Sequence, residues 1–131
     1  MPSIFSKIAA GEIPCYKIAE NEHYLAFLDA FPLKHGHSLV IPKKEVDYLF
    51  DLDKETYTGL MEFTKRVADA LKRSIPCKRL SMQVIGLEVP HAHVHLIPIN
   101  TTSDCDFTKE KLKFSKEEFE ATAQLIASNF K

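Results

Sequence analysis

Three histidines, His91, His93 and His95, occupy alternate positions in the last third of the chain, and small or apolar residues separate them. Alternation with a period of two is typical of a strand with one face on the core. Successive side chains of a strand point to opposite faces, so the pattern places the three imidazoles on one face. The sequence therefore predicts a strand over residues 91–98 that presents a row of histidines.

The remaining apolar segments predict four further strands and three helices. The predicted strands span residues 15–19, 23–29, 38–41 and 80–85. The predicted helices are a short one after Ser3, a long one over residues 53–75 and a final one over residues 115–130, each with a capping side chain at its start. Short turns between strands favour antiparallel pairing. We therefore predict an α+β fold, a five-stranded antiparallel sheet with the helices packed largely on one face.

Composition and charge are those of an ordinary globular domain. The 131 residues suffice for one domain, residues 1–131, and 45% of them are hydrophobic. A formal net charge of −1 gives no basic field for nucleic acid or an anionic membrane. We expect no leader peptide, and no apolar run approaches the roughly 20 residues of a transmembrane helix. Three widely spaced cysteines indicate reduced thiols in a cytoplasmic protein, and none has a neighbour that would make it a nucleophile.

The residues alone leave three uses of the histidine row open. The first is a metal site, but the ends of the row lie about 13 Å apart at ~3.3 Å per residue, and the sequence places no cysteine pair or carboxylate beside it. The second is structural, which requires hydrogen-bond partners for both nitrogens of each buried ring. The third is phosphoryl or nucleotidyl transfer, because a neutral imidazole attacks phosphorus well and neighbouring imidazoles can donate to phosphoryl oxygens.

The segment HAHVHLI, with Val-Pro before it and Pro after it, resembles the signature of the histidine triad family. The opening SIFSKIAAGEIPCYKI resembles the start of that family, with its Ile-Phe and its Gly-Glu-Ile-Pro. The segment AFLDAFPLKHGHSLVIPKKEV resembles a family segment in which an Asp precedes a Pro-containing loop, Gly-His and Val-Ile-Pro-Lys-Lys. The resemblance runs from about residue 3 to residue 99, and together these motifs are highly specific.

The resemblance implies a fold, an activity and a set of catalytic roles. The family fold is a five-stranded antiparallel sheet with helices, usually in a two-fold homodimer. The family activity is hydrolysis or transfer at the α-phosphate of purine nucleotides, including adenosine phosphoramidates and dinucleoside polyphosphates. By resemblance, His93 is the nucleophile that forms a nucleotidyl-histidine intermediate, the carbonyl of His91 orients its ring, and His95 contacts the phosphate or leaving group. His37 matches a further family histidine.

The resemblance also implies a nucleotide pocket. Asp29 matches the residue that binds the ribose hydroxyls, and a carboxylate with two oxygens suits a vicinal diol. The residues that match the apolar pocket for the base are Ile4, Phe5, Ile8 and Phe27.

The segment before the histidines departs from the family pattern. Many members have an Asn-containing loop followed by Gly-Gln, whereas here Gly86 is followed by Leu87 and Glu88. Leu87 cannot donate a hydrogen bond to a phosphate oxygen, and Glu88 would repel one if it pointed inward. Gln83 and Gly86 are therefore the candidate substrate-binding residues of this segment.

No metal or cofactor is predicted. Ser3 and Ser6 stand where some bacterial members carry zinc-binding cysteines, so zinc is not expected. The leading interpretation is a metal-independent nucleotide hydrolase or transferase. The alternative is a purine-nucleotide-binding or scaffold protein with little catalytic activity.

Overall fold

Five antiparallel strands form one sheet in the computed structural model of the chain, which describes residues 2–131. The strands are β1 (Lys17–Glu20), β2 (Tyr24–Leu28), β3 (Ser38–Pro42), β4 (Arg79–Gln83) and β5 (Val94–Ile99). Their order across the sheet is β1-β2-β3-β5-β4, so β5 pairs with β3 on one side and with the edge strand β4 on the other. The predicted five-stranded antiparallel fold is confirmed.

Three α-helices begin at the predicted caps, and they are α1 (Ile4–Ala9), α2 (Lys54–Ser74) and α3 (Lys116–Ser128). The side chains of Ser3, Asp53 and Ser115 each accept a hydrogen bond from a backbone N–H in the first turn of their helix. Short 3₁₀ turns lie at Leu49–Asp51 and Thr102–Cys105. None of the helices within residues 2–131 combines the length and the apolarity needed to cross a bilayer.

The two faces of the sheet pack against different helices. On one face α2 and α3 cover the larger core, which includes Val40, Val94 and Leu96. On the other face α1 contributes to a smaller apolar cluster of Phe5, Leu25, Phe27, Leu39 and Ile41. Side chains alternate along a strand, so His95 lies on the α1 face while its neighbours on β5 lie in the larger core. Every residue of β3 is buried, because both faces of this central strand are covered.

The structure corrects the predicted start of the histidine strand. β5 begins at Val94, so His91, Ala92 and His93 lie in the segment that precedes it, and of the three histidines only His95 is part of the strand. The N–H of Ala92 donates to the carbonyl of Val46, which lies outside the sheet. The N–H of Ala92 is therefore not available to the sheet. The first residue of β5 that is paired with β3 is Val94, which lies opposite Val40.

The other strand boundaries differ less from the prediction. β4 ends at Gln83 instead of residue 85, because Gln83 is paired with His95, close to the beginning of β5. β1 covers Lys17–Glu20 instead of residues 15–19, and it has an irregular register between Lys17 and Ala19. β2 is one residue shorter than predicted at each end, and β3 is one residue longer.

Candidate active site

A cavity of about 500 Å³ opens on the α1 face of the sheet. Its lining includes eight of the predicted site residues, namely Ile4, Phe5, Ile8, Phe27, Asp29, Gly86, His93 and His95. The rings of Phe5 and Phe27 meet edge to face with centroids 5.7 Å apart, and they form part of the apolar wall. A largely apolar cavity of this size with a few polar groups is typical of sites for small organic ligands.

His93 is held by a hydrogen bond from its Nδ1–H to the backbone carbonyl of His91, at 2.7 Å. A carbonyl oxygen can only accept, so Nδ1 carries the proton and the neutral ring has its lone pair on Nε2. Phe5 packs edge-on against the His93 ring with centroids 4.9 Å apart. His93 is therefore fixed in one tautomer and one orientation on the wall of the cavity.

A chain of hydrogen bonds also determines the tautomer of His95. The backbone N–H of Leu33 donates to Nδ1 of His37 at 2.9 Å, so the proton of the neutral His37 ring is on Nε2. This Nε2–H donates to Nδ1 of His95 at 3.0 Å. The neutral His95 ring must therefore carry its own proton on Nε2. His95 lines the cavity beside His93, with ring centroids 5.0 Å apart, and can donate a hydrogen bond to a ligand.

Burial keeps these imidazoles neutral near pH 7. Burial, then the neighbouring charges of His95 and Lys111, lower the pKa of His37 to about 3. Burial and the proximity of His93 lower the pKa of His95 to about 4. Burial also lowers the pKa of His93, although its hydrogen bond to His91 opposes the shift. A neutral His93 retains the lone pair that nucleophilic attack requires.

Asp29 lines the cavity and approaches the rings of His37 and His95. Its Oδ1 accepts the N–H of Phe31 at 2.9 Å, which is a turn-forming contact. Its Oδ2 is 3.4 Å from Nε2 of His37 and 4.0 Å from Nδ1 of His95. The expectation that no carboxylate lies beside the histidines is therefore wrong. Burial raises the pKa of Asp29, against the opposing hydrogen bond from Phe31.

Asp29, His37 and His95 lie close enough to be considered as a metal site, with their potential ligand atoms within 4.8 Å of one another. A metal needs a lone pair from each imidazole. His37 uses its Nδ1 lone pair to accept from Leu33 and its Nε2–H to donate to His95, so the neutral ring has no lone pair left for a metal. The donor set therefore does not fit a metal ion, and the absence of a metal requirement stays a prediction.

Several residues that line the cavity were not predicted from the sequence, among them Phe107 and the positively charged Lys111. Phe107 packs edge-on against the His95 ring with centroids 4.8 Å apart, and it also contacts His37. Lys111 lines the cavity, and its Nζ donates to the carbonyl oxygens of Phe107 and Lys109. Both lie in residues 106–115, which form neither a helix nor a strand. Without a repeating pattern of apolar residues, the sequence does not indicate that Phe107 packs against the histidines.

The segment before the histidines contributes to the rim of the cavity. Gly86, Leu87 and Glu88 line it, and the Leu87 side chain is 89% exposed. Gln83 is different, because it does not line the cavity and its amide donates to Oγ of Ser81 at 3.1 Å. Gln83 pairs with His95 across β4 and β5, but the structure does not bring its amide into the site.

Comparison with known proteins gives consistent matches over most of the chain. The model of the HIT domain matches residues 10–102. The adenosine 5′-monophosphoramidase of Schizosaccharomyces pombe is 33% identical over 133 residues, covering 100% of both chains. The corresponding monophosphoramidase of Saccharomyces cerevisiae is 40% identical over 96 residues, covering 72% of this chain and 61% of the yeast protein.

Solved structures agree with the sequence relatives. The crystal structure of a Hit-like protein from Bartonella henselae, described as involved in cell-cycle regulation, superimposes with a TM-score of 0.86 at 28% identity. The alignment covers 98% of this chain and 96% of the Bartonella chain. The domain match, the relatives and the shared architecture together show that the chain belongs to the histidine triad (HIT) family.

Proposed function

We propose that the protein is a nucleotide hydrolase or transferase that acts at the α-phosphate of purine-nucleotide phosphoramidates or dinucleoside polyphosphates. The observation that carries the proposal is the hydrogen bond from His93 Nδ1–H to the carbonyl of His91, which leaves Nε2 as the nucleophilic nitrogen of a neutral ring. The two yeast relatives named as adenosine 5′-monophosphoramidases support the substrate class.

The proposed reaction has two displacements at phosphorus. Nε2 of His93 attacks the α-phosphorus, and the bond from phosphorus to the leaving nitrogen or oxygen breaks. The Nε2–H of His95 donates a hydrogen bond to the leaving group, which takes up a proton from solvent. Water then attacks the nucleotidyl-histidine, loses a proton to solvent and breaks the phosphorus–Nε2 bond. The nucleoside monophosphate leaves, and the His93 ring is restored. In a transfer reaction another acceptor takes the place of water.

The proposed nucleotide orientation follows from the side chains that line the cavity. The base lies against the apolar wall formed by Ile4, Phe5, Ile8 and Phe27. Asp29 accepts hydrogen bonds from the ribose hydroxyls, because its carboxylate lines the same cavity as the apolar side chains and His93. This orientation places the α-phosphate beside His93 and His95.

AMP release from an adenosine phosphoramidate at pH 7 tests the proposal. Loss of a covalent nucleophile is expected to lower kcat by several orders of magnitude in His93→Ala. The matched control is His23→Ala, because the His23 side chain is 72% exposed and does not line the cavity. Equal turnover in the wild type and in His93→Ala would refute the nucleophile assignment.

A second candidate function is nucleotide binding with little turnover. It is favoured by Leu87 and Glu88, which line the cavity but offer no hydrogen-bond donor from their side chains to a phosphate. Calorimetry with AMP separates the two candidates. Tight binding of AMP without turnover of any phosphoramidate or dinucleotide would establish the binding protein, and the absence of any nucleotide binding would exclude both.

We also propose that the protein is a homodimer. The edge strand β4 and the segment after it carry exposed apolar side chains, including Met82 at 56%, Ile85 at 44% and Leu87 at 89%. An open strand edge with exposed apolar residues is suited to pairing with a second copy. Light scattering is expected to give twice the monomer mass, and Met82→Lys is expected to lower it. A monomer at all concentrations would contradict this proposal.

A cytoplasmic location completes the proposal. The three cysteines are free thiols, as expected for a protein in a reducing compartment. Cell fractionation tests this assignment, and recovery of the protein outside the cytoplasm would overturn it.

A further inference from the structure

A cluster of hydrogen bonds surrounds the buried ring of His91, outside the proposed reaction centre. Its Nε2 lies 2.8 Å from the carbonyl oxygen of Pro42 and its Nδ1 lies 2.8 Å from Oγ of Ser3. The Pro42 oxygen can only accept, so the His91 proton is on Nε2 in the neutral ring. Nδ1 then accepts, and the hydroxyl of Ser3 is the donor. Both nitrogens of this fully buried ring are therefore satisfied.

Glu45 connects this cluster to the beginning of α1. One carboxylate oxygen, Oε1, accepts from the backbone N–H of Ser3 and from the hydroxyl of Ser6, each at 2.6 Å. These two hydrogen bonds lower the pKa of Glu45 to about 2, so the carboxylate is charged at neutral pH. Oγ of Ser6 also lies 3.3 Å from Nδ1 of His91, but its one proton is donated to Glu45, which leaves the nearer Ser3 hydroxyl as the donor to His91.

The same part of the chain holds the backbone on both sides of the His91 carbonyl. The ring of His91 is anchored to Pro42, and the N–H of Ala92 donates to the carbonyl of Val46 at 2.7 Å. The carbonyl between these two anchors is the one that accepts from Nδ1 of His93. A displacement of His91 would therefore move the acceptor that selects the His93 tautomer.

We propose that Ser3, Ser6 and Glu45 form a positioning network that fixes His91, so that the His91 carbonyl holds His93 with its lone pair on Nε2. The inference rests on the proposed function for its catalytic consequence. It assigns a role in turnover to three polar side chains that contribute nothing to the reacting atoms themselves. The competing explanation is that Ser3 only caps α1 and thereby supports the apolar end of the cavity.

The first comparison is between Ser3→Ala and Ser115→Ala. Both changes remove a side chain that caps the beginning of a helix, so both are expected to lower the stability of the protein. Only Ser3→Ala also removes the donor to His91. We expect Ser3→Ala to lower kcat about ten- to a hundredfold, the effect of a displaced reacting group, with KM changed less than about threefold. Ser115→Ala is expected to leave both constants unchanged.

Nitrogen-15 NMR of the free enzyme reads the His93 tautomer without any turnover. In the wild type we expect the His93 proton on Nδ1, and in Ser3→Ala a mixture of both tautomers. Because this measurement needs no substrate, it separates the network from the proposed function. An inactive wild type whose His93 tautomer still changes in Ser3→Ala would overturn the function and keep the network, whereas unchanged His93 signals in Ser3→Ala would overturn the network.

Glu45 supplies a variant whose folding is not at risk, because its side chain is exposed. Glu45→Gln keeps an acceptor oxygen for Ser3 and Ser6, so we expect it to retain wild-type kcat and the wild-type tautomer. Glu45→Ala removes the acceptor, so we expect it to lower kcat and to give a mixture of His93 tautomers, as in Ser3→Ala. A rise in KM with unchanged kcat in Ser3→Ala or Glu45→Ala, or equal loss in Glu45→Gln and Glu45→Ala, would overturn the positioning role.

Discussion

Mild acid is expected to destabilise the fold through His37 and His95. The folded protein holds their pKa values at about 3 and about 4, whereas the unfolded chain has the ordinary histidine value of about 6.5. Between pH 6.5 and these lower values the unfolded chain binds more protons than the folded one, so acidification favours unfolding. The stability present at pH 7 is therefore lost progressively as the pH falls below 6.5.

The size of the effect follows from the shifts. At pH 5 the solution is about 1.5 pH units below the pKa of a histidine in the unfolded chain, while both rings in the folded protein are still mostly neutral. The free energy of unfolding therefore falls by about 2 kcal/mol for each ring. Both side chains are at least 90% buried, so solvent screening is small. The expected loss is about 4 kcal/mol, a large fraction of the 5–15 kcal/mol typical of a domain.

Urea unfolding at a series of pH values between 5 and 7 measures this loss. Most acidic side chains titrate below about pH 5, so the histidines dominate the titration in this window. His37→Gln removes one titrating ring and is expected to reduce the dependence of the unfolding free energy on pH by about 2 kcal/mol between pH 7 and pH 5, while His23→Gln, at an exposed position, leaves it unchanged. An unfolding free energy that is equal at pH 5 and pH 7 would refute the assignment of neutral buried rings.

Three further predictions concern the pocket, a turn and metals. Phe5→Ala removes a ring that contacts Phe27 and His93, so KM for the nucleotide is expected to rise about tenfold in steady-state kinetics, and an unchanged KM would contradict the base pocket. Gly36→Ala places a Cβ 3.0 Å from Cγ1 of Ile75 on a residue with a φ of 89°, so thermal denaturation is expected to show a free energy of unfolding lower by about 1–3 kcal/mol. Gly86→Ala has open space around the new Cβ and is expected to lower this free energy by less. Dialysis against a chelator is expected to leave turnover unchanged, and loss of activity that zinc restores would contradict the metal-independent scheme.

The sequence predicts the fold well where a local pattern is decisive. Ser3, Asp53 and Ser115 cap the helices that they were expected to cap, because a cap depends on residues within one turn. The start of the histidine strand was not predictable in this way. Whether Ala92 joins the ladder depends on the carbonyl of Val46, a partner far away in sequence.

The site, like the fold, is predictable from the sequence only where a local motif identifies the residues. The motifs identify His93 and Asp29, but they do not show that the Nδ1 of His37 accepts from Leu33 and thereby fixes the tautomer of His95. Phe107 reaches the site only because the irregular segment around it folds back, with the N–H of Leu112 donating to the carbonyl of Pro32. Contacts of this kind are properties of the assembled tertiary structure.

The stereochemistry at phosphorus tests the covalent intermediate most directly. A substrate with a chiral α-phosphorus is turned over in isotopically labelled water, and the configuration of the released nucleotide is determined. Each in-line displacement inverts phosphorus, so attack by His93 followed by attack of water predicts overall retention. Overall inversion would show a single displacement by water and would contradict the nucleotidyl-histidine intermediate.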